Sequence, residues 1–193
     1  MMEENQNFQP EVEQPQPVNK LNSAATNGLK LALISIGFTL IASFIPKSST
    51  GVMFTFLLSI LKLGATVTFL WWAMKTFSAK NAAVQGFTTY GNVFSYGLLT
   101  SLFSGIVLAA FSFVNIKLIN PEAVEQMKEA ISASMDNIEG FNSSFLEVYY
   151  NNFEFWTVIS TVIGAVIYGL IFSAIIASST KKNPDMMSGF NNF

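Results

Sequence analysis

Four long runs of apolar residues, separated by short polar segments, dominate the chain. The runs cover residues 28–45, 51–74, 94–116 and 156–178. At 1.5 Å of rise per residue, about 20 helical residues cross the roughly 30 Å hydrocarbon core of a bilayer. Three of the runs exceed that length and the first nearly reaches it. The pattern therefore predicts an all-α integral membrane protein, a four-helix bundle whose helices each cross the bilayer once.

Composition favours a bilayer over water as the solvent of this bundle. Hydrophobic residues make up 51% of the 193 residues, and charged residues only 11%. That is about half the charged share of a soluble domain. A soluble protein would need more polar residues to cover four helices this apolar, so the lipid bilayer is the first predicted partner.

Polar segments divide the chain around these runs. Residues 1–22 are rich in Glu, Gln and Pro, a composition that buries too little apolar surface to order itself, and they predict a disordered cytoplasmic tail. Residues 23–183 form the predicted transmembrane domain, and residues 184–193 form a second, short cytoplasmic tail. The longest connection, residues 119–154, joins the third and fourth runs and is predicted to be extracytoplasmic.

This connection has a helical repeat of its own. Asn120 is a favourable capping residue and Pro121 a favourable first helical residue. Apolar residues then recur at three- and four-residue spacing, at Val124, Met127, Ile131, Met135 and Ile138. Acidic residues lie on the other side, at Glu122, Glu125, Glu129 and Asp136. Because an acidic helix face is usually a solvated one, we predict an amphipathic helix here and no metal site.

Lysines near the membrane are distributed unequally between its two faces. An even number of spans places both termini on one face, which receives Lys20, Lys30, Lys75, Lys80, Lys181 and Lys182. The opposite face receives Lys47, Lys117 and Lys128. Cytoplasmic loops carry the excess of positive residues, so both termini are predicted to lie in the cytoplasm.

Rows of small residues at four-residue spacing mark the third and fourth runs. The third run has Gly97, Ser101, Gly105 and Ala109, and the fourth has Thr161, Ala165, Gly169, Ser173 and Ala177. Small side chains on one helical face let two backbones approach closely, so we expect the third and fourth spans to pack along these rows. The alternative use of such a row is a seam between two copies of the chain.

Lys62 is the residue that the apolar pattern does not accommodate. It lies near the midpoint of the second run, where a charged group costs ~2.5–3.5 kcal/mol on insertion scales. The candidate polar intramembrane site consists of Lys62, of Thr55, Ser59 and Thr66 on the same helical face, and of Tyr96, Thr100, Ser104 and Tyr168 as expected partners from other spans. Alternatively, the lysine side chain extends along its helix toward the nearest interface and has no function.

Residue types that carry common chemistry are scarce. The sequence contains no Cys and no His, so it offers no thiol nucleophile, no thiolate or imidazole metal ligand and no near-neutral general base. Its net charge is −2, whereas a nucleic-acid partner would require a basic patch. The sequence therefore predicts no enzymatic activity, no metal, no cofactor and no nucleic-acid partner.

Glycine and aromatic positions carry a resemblance to a known family. They are Gly28 in the first span, Tyr90-Gly91 with Phe94, Tyr96 and Gly97 at the third, Ile119-Asn120-Pro121-Glu122 after it, and Gly169-Leu170-Ile171 with Ser173 in the fourth. From about residue 24 onwards the chain resembles the bacterial membrane proteins of the domain of unknown function 4199 family. The resemblance implies four spans in the bacterial inner membrane and brings no agreed activity. Lys62 is not among the residues that carry this resemblance.

Two functions fit these features. The first is a non-catalytic accessory protein that binds another membrane protein or a second copy of itself through its spans or its acidic loop helix. The alternative is a small transporter or channel component in which Lys62 and the hydroxyl stripe line a polar path. The lack of intramembrane carboxylates and of a detectable inverted repeat favours the first.

Overall fold

Helices account for nearly all of the chain that the computed structural model describes, namely residues 18–45, 49–135, 148 and 150–182. They are α1 (Lys20–Ser43), α2 (Ser49–Gln85), α3 (Tyr90–Val114), α4 (Pro121–Met135) and α5 (Phe153–Thr180). A π-helical turn, Asn115–Ile119, follows α3 directly. Helices α1, α2, α3 and α5 are long and apolar enough to cross a membrane. The predicted all-α, multi-pass membrane bundle is thus confirmed.

Helix α2 extends well past the second apolar run. Its 37 residues correspond to about 55 Å, several turns more than a bilayer core requires. The predicted span ended at residue 74, but neither Gly nor Pro occurs between Met74 and Gln85, and the helix continues. The helix ends at Gly86, whose φ of +78° is a left-handed conformation that glycine adopts without steric cost.

Helix α1 begins eight residues before the first apolar run, which starts at residue 28. Asn19 caps the helix, because its side chain accepts a hydrogen bond of 3.1 Å from the backbone N–H of Asn22.

At the other end of the bundle, α4 follows the predicted amphipathic pattern from Pro121 to Met135. Residues 1–17, 46–48, 136–147, 149 and 183–193, and with them Lys47, Asp136, Ile138 and most of both predicted tails, lie outside the described residues.

Helix α3 is the centre of the bundle. It packs most extensively against α5 and next against α1, whereas α2 makes fewer contacts with its neighbours. We call the end that carries Lys20, Gln85 and Thr180 the basal end, and the end that carries α4 the distal end. Two buried aromatic rings meet at the basal end, where Phe77 and Tyr96 stack with centroids 4.1 Å apart.

Polar side chains tie the basal end of α5 to the connection between α2 and α3. The Ser78 hydroxyl donates to the Thr180 carbonyl at 2.6 Å, and the buried Thr88 hydroxyl donates to the Ser78 carbonyl at 3.1 Å. Thr88 and Lys182 also exchange two backbone hydrogen bonds, of 2.8 and 3.0 Å. These bonds add to the apolar packing of Ile176 and Ala177 in fixing the position of the α5 end.

Candidate functional site

A cavity of about 320 Å³, here called the Lys62 cavity, lies at the mid-level of the bundle. All four long helices line it: Ser35 comes from α1, Lys62 and Thr66 from α2, Ser101 and Ser104 from α3, and Thr161 and Tyr168 from α5. Most of these residues lie near the middle of their apolar runs. The cavity therefore places one cation and several hydroxyls at the depth where a bilayer is least polar.

The Lys62 ammonium group has one described polar contact. Lys62 Nζ donates to Thr39 Oγ1 over 3.4 Å, and Thr39 uses its own proton on the Ser35 carbonyl at 2.9 Å. The Thr39 lone pairs are therefore free to accept from the lysine. Among the described residues of the four spanning helices, the only carboxylate is Glu154, which pairs with Lys117 at 2.8 Å. The described part of the bundle thus provides no counter-ion for Lys62.

The hydroxyls predicted to share the face of Lys62 are used on their own helix. Thr55 donates to the Gly51 carbonyl at 2.9 Å, and Ser59 donates to the Thr55 carbonyl at 2.9 Å. Thr66 donates to the carbonyls of Lys62 and Leu63, each at 3.0 Å. Because these protons go to backbone carbonyls, this stripe offers acceptor lone pairs to a ligand but no free donors. Ser59 and Thr66 line the Lys62 cavity and Thr55 does not.

Two buried hydroxyls of the cavity have no hydrogen-bond partner among the described residues. They are Ser101 Oγ and Tyr168 Oη. The Thr66 hydroxyl lies beside Tyr168 without completing a hydrogen bond to it. An unsatisfied buried hydroxyl costs about 1–3 kcal/mol, and both of these belong to residues that line the cavity.

Tyr96 and Thr100, two expected partners of Lys62, do not line this cavity. The Tyr96 hydroxyl receives a hydrogen bond of 2.6 Å from Asn27 Nδ2 and lies 3.1 Å from Ser23 Oγ. Thr100 donates to the Tyr96 carbonyl at 2.9 Å. The structure thus places both residues in contacts between α1 and α3 or within α3. Instead, Ser35 and Ser101 line the Lys62 cavity, and Thr39 contacts Lys62 at its edge. None of these three residues was assigned to the site from sequence.

A second and larger cavity, the distal cavity, has a volume of about 750 Å³ and lies between the distal ends of α1 and α2, the π-helical turn and the start of α5. Its lining combines apolar residues with the hydroxyls of Thr39, Thr55 and Thr157. Because Thr39 lines the distal cavity and accepts from Lys62, the hydrogen bond between them lies at the border of the two cavities.

The small-residue rows of α3 and α5 face each other inside the chain. A Cβ added to Gly105 would lie 2.6 Å from Ala165 Cβ, and one added to Gly169 would lie 2.6 Å from Ser101 Cβ. Gly97 faces Ser173 and Met74 in the same way. Further along the α3 row, Ala109 is also buried. Close backbone approach along these rows defines the relative depth of the α3 and α5 residues that line the Lys62 cavity.

Similarity to a known family covers most of the chain. The family model described as "Protein of unknown function (DUF4199)" matches residues 26–182, a segment that includes Lys62 and every residue lining its cavity. The resemblance carried by the glycine and aromatic positions is thereby confirmed. No curated protein and no solved structure matches the chain. The arrangement around Lys62 therefore has to be interpreted from its own chemistry.

Proposed function

This chain belongs to the DUF4199 family, whose description gives no activity, and we propose that it is a non-catalytic membrane protein that binds a small anion in the Lys62 cavity. The observation that carries the proposal is the lysine cation without a described counter-ion, beside the unpaired hydroxyls of Ser101 and Tyr168. An ionisable group at this depth is a functional-site hypothesis by default.

The chemistry of the cavity favours an anion over other ligands. A carboxylate or similar group would accept from the Lys62 ammonium and from the hydroxyls of Ser101 and Tyr168, for whose protons the described residues provide no acceptor. A neutral ligand would leave the lysine charge uncompensated, and a cation would be repelled by it. The volume of about 320 Å³ lies at the lower end of the range for small-molecule sites.

Of the two functions expected from the sequence, these observations favour the transporter or channel component. The distal cavity adjoins the Lys62 cavity at Thr39. A ligand could therefore pass from the distal end of the bundle to Lys62 through cavities that are lined in part by hydroxyl groups. The accessory function stays as a second candidate because α4 exposes Glu122, Glu125 and Glu129, a charged surface suited to another protein.

Benzoate is expected to raise the Tm of the purified protein in detergent more than benzamide, its neutral analogue of the same shape. A ligand that binds only the folded state stabilises it by RT ln(1 + [L]/Kd), so the shift should grow with benzoate concentration. Lys62→Leu should remove the difference between the two compounds. The control Lys181→Leu changes an exposed lysine and should retain it. Equal shifts from benzoate and benzamide on the native protein would refute the anion site.

Reconstitution separates the transport function from the accessory function. If the protein alone in liposomes supports benzoate flux that Lys62→Leu abolishes, the chain is a transporter or channel. Binding without flux would instead assign the ligand site to an accessory protein, and crosslinking from the native membrane would then identify its partner. Absence of both binding and flux would contradict the proposal as a whole.

The orientation of the chain is a second proposal, with both termini on the cytoplasmic side of the bacterial inner membrane. Ala83 near the end of α2 and Ala130 in α4 are exposed residues on opposite ends of the bundle. Since the chain has no native Cys, Ala83→Cys and Ala130→Cys each introduce one thiol. In spheroplasts an impermeant maleimide should label the variant at position 130 directly, and the variant at position 83 only after permeabilisation. The reverse pattern would invert the topology.

A further inference from the structure

A third cavity, the basal cavity, has a volume of about 240 Å³ and lies at the basal end between α1, α2 and α3. Two lysines line it, Lys30 from α1 and Lys80 from α2, together with Trp72 and the polar side chains of Asn27 and Thr76. It is separate from the Lys62 cavity, with which it shares no lining residue.

Neither lysine of the basal cavity has an ion-pair or hydrogen-bond partner among the described residues. The wider charge distribution explains why. The described carboxylates all lie at the distal end, and they are Glu122, Glu125, Glu129 and Glu154. The described basal lysines are Lys20, Lys30, Lys75, Lys80, Lys181 and Lys182. The described part of the chain therefore leaves the positive charge of the basal cavity without a partner.

The position of the cavity identifies the surface it meets. Trp72 is half exposed and belongs to the Trp71-Trp72 pair at the end of the apolar part of α2, where indole rings prefer the membrane interface. On α1, Leu33 lies one turn from Lys30 and is 57% exposed. Two cations at the interface beside an exposed apolar surface match an anionic lipid. The cations would contact its headgroup, and the apolar surface would contact its acyl chains.

We propose that the basal cavity binds the phosphate of an anionic phospholipid between Lys30 and Lys80. The two ammonium groups would contact the phosphate oxygens, and Asn27 and Thr76 would donate to the phosphate or to a hydroxyl of the headgroup. Basic pockets between spanning helices are suited to anionic headgroups, because lipid charge is concentrated at that level. A zwitterionic lipid fits less well, since the lysines would repel its choline cation.

Native mass spectrometry of the delipidated full-length protein tests the site, with phosphatidylglycerol and phosphatidylcholine of identical acyl chains offered in equal amounts. The protein should retain phosphatidylglycerol preferentially. Lys30→Gln/Lys80→Gln should lower that retention by roughly thirtyfold, the product of two lysine contributions of the usual size. The matched control Lys181→Gln/Lys182→Gln removes the same charge from the same end outside the cavity, and it should change retention by less than threefold. Equal losses in the two double variants, or no loss in either, would overturn the proposal.

Two further measurements exclude other occupants. Glycerol phosphate, which has the headgroup charge but no acyl chains, should not compete with phosphatidylglycerol at equal concentration; effective competition would overturn the assignment to a lipid.

The acidic residues Glu3, Glu4, Glu11 and Glu13 precede Val18, which itself lines the cavity. Changing all four to Gln should leave lipid retention within threefold of the native protein. A tenfold rise would identify the N-terminal segment as the occupant and overturn the proposal.

Discussion

Gly28→Ala is expected to lower the Tm of the protein by several degrees, whereas Gly37→Ala on the same helix should leave Tm unchanged or raise it. A Cβ at Gly28 would lie 2.6 Å from Phe103 Cβ and 2.7 Å from the Thr100 carbonyl oxygen. A backbone carbonyl cannot rotate away as a side-chain tip can, so α1 and α3 would have to separate. Overpacking of this kind typically costs ~1–3 kcal/mol.

The control substitution introduces the same methyl group without a clash. No atom lies within 4 Å of a Cβ built at Gly37, and Ala favours a helix over Gly by up to about 1 kcal/mol. A second matched pair is Gly105→Ala, where the new Cβ would meet Ala165, and Gly64→Ala, which meets nothing within 4 Å. Thermal melts of the four variants in one detergent provide the comparison. Similar Tm values within each pair would show that close backbone approach does not stabilise the bundle.

Lys62→Leu is expected to raise Tm while abolishing anion binding. The substitution removes a charge whose placement at mid-bilayer depth costs ~2.5–3.5 kcal/mol, and it sacrifices a single long hydrogen bond of 3.4 Å to Thr39. Leu also fits the apolar residues at the edges of the cavity, such as Leu31, Leu63 and Leu108. If the variant is more stable but no longer binds the anion, Lys62 serves the function of the protein at the expense of its stability.

Thr39→Val supplies the complementary test. It removes the described acceptor of the Lys62 ammonium, and a buried polar group left without a partner costs about 1–3 kcal/mol. We expect this variant to have a lower Tm than the native protein. In the double variant Lys62→Leu/Thr39→Val, the effect of the threonine substitution should largely disappear, since no ammonium group remains to be satisfied. Additive Tm changes would mean that Lys62 extends to solvent and does not depend on Thr39.

The number and type of the elements could be predicted from the sequence, because hydrophobic length is a local property. Each run long enough to cross a bilayer corresponds to a spanning helix, and Asn120-Pro121 marks the start of α4. The end of α2 could not be placed by the same criterion. Hydropathy reports which residues favour lipid, whereas the helix continues past residue 74 through a more polar segment until Gly86 provides a left-handed conformation.

The residues of the polar site show what helical periodicity can predict and what it cannot. Helical spacing predicts that Ser59 and Thr66 share a face with Lys62, because residues three or four apart lie on one side of a helix, and all three line the cavity. The partner residues on other helices depend on how far each helix is shifted and rotated against its neighbours. For this reason Thr39 and Ser101 meet the site or its border, while Tyr96 and Thr100 are engaged elsewhere.

The sequence by itself determined that the chain spans a membrane four times, that a lysine lies within the second span and that small residues line the third and fourth. These are consequences of residue type and spacing along single helices. The tertiary structure decided which cations lack a partner among the described residues, because Lys30 and Lys80 are fifty residues apart in the chain and line one cavity only after α1 packs beside α2. Charge compensation depends on distance in space, and the packing of α1, α2 and α3 fixes that distance here.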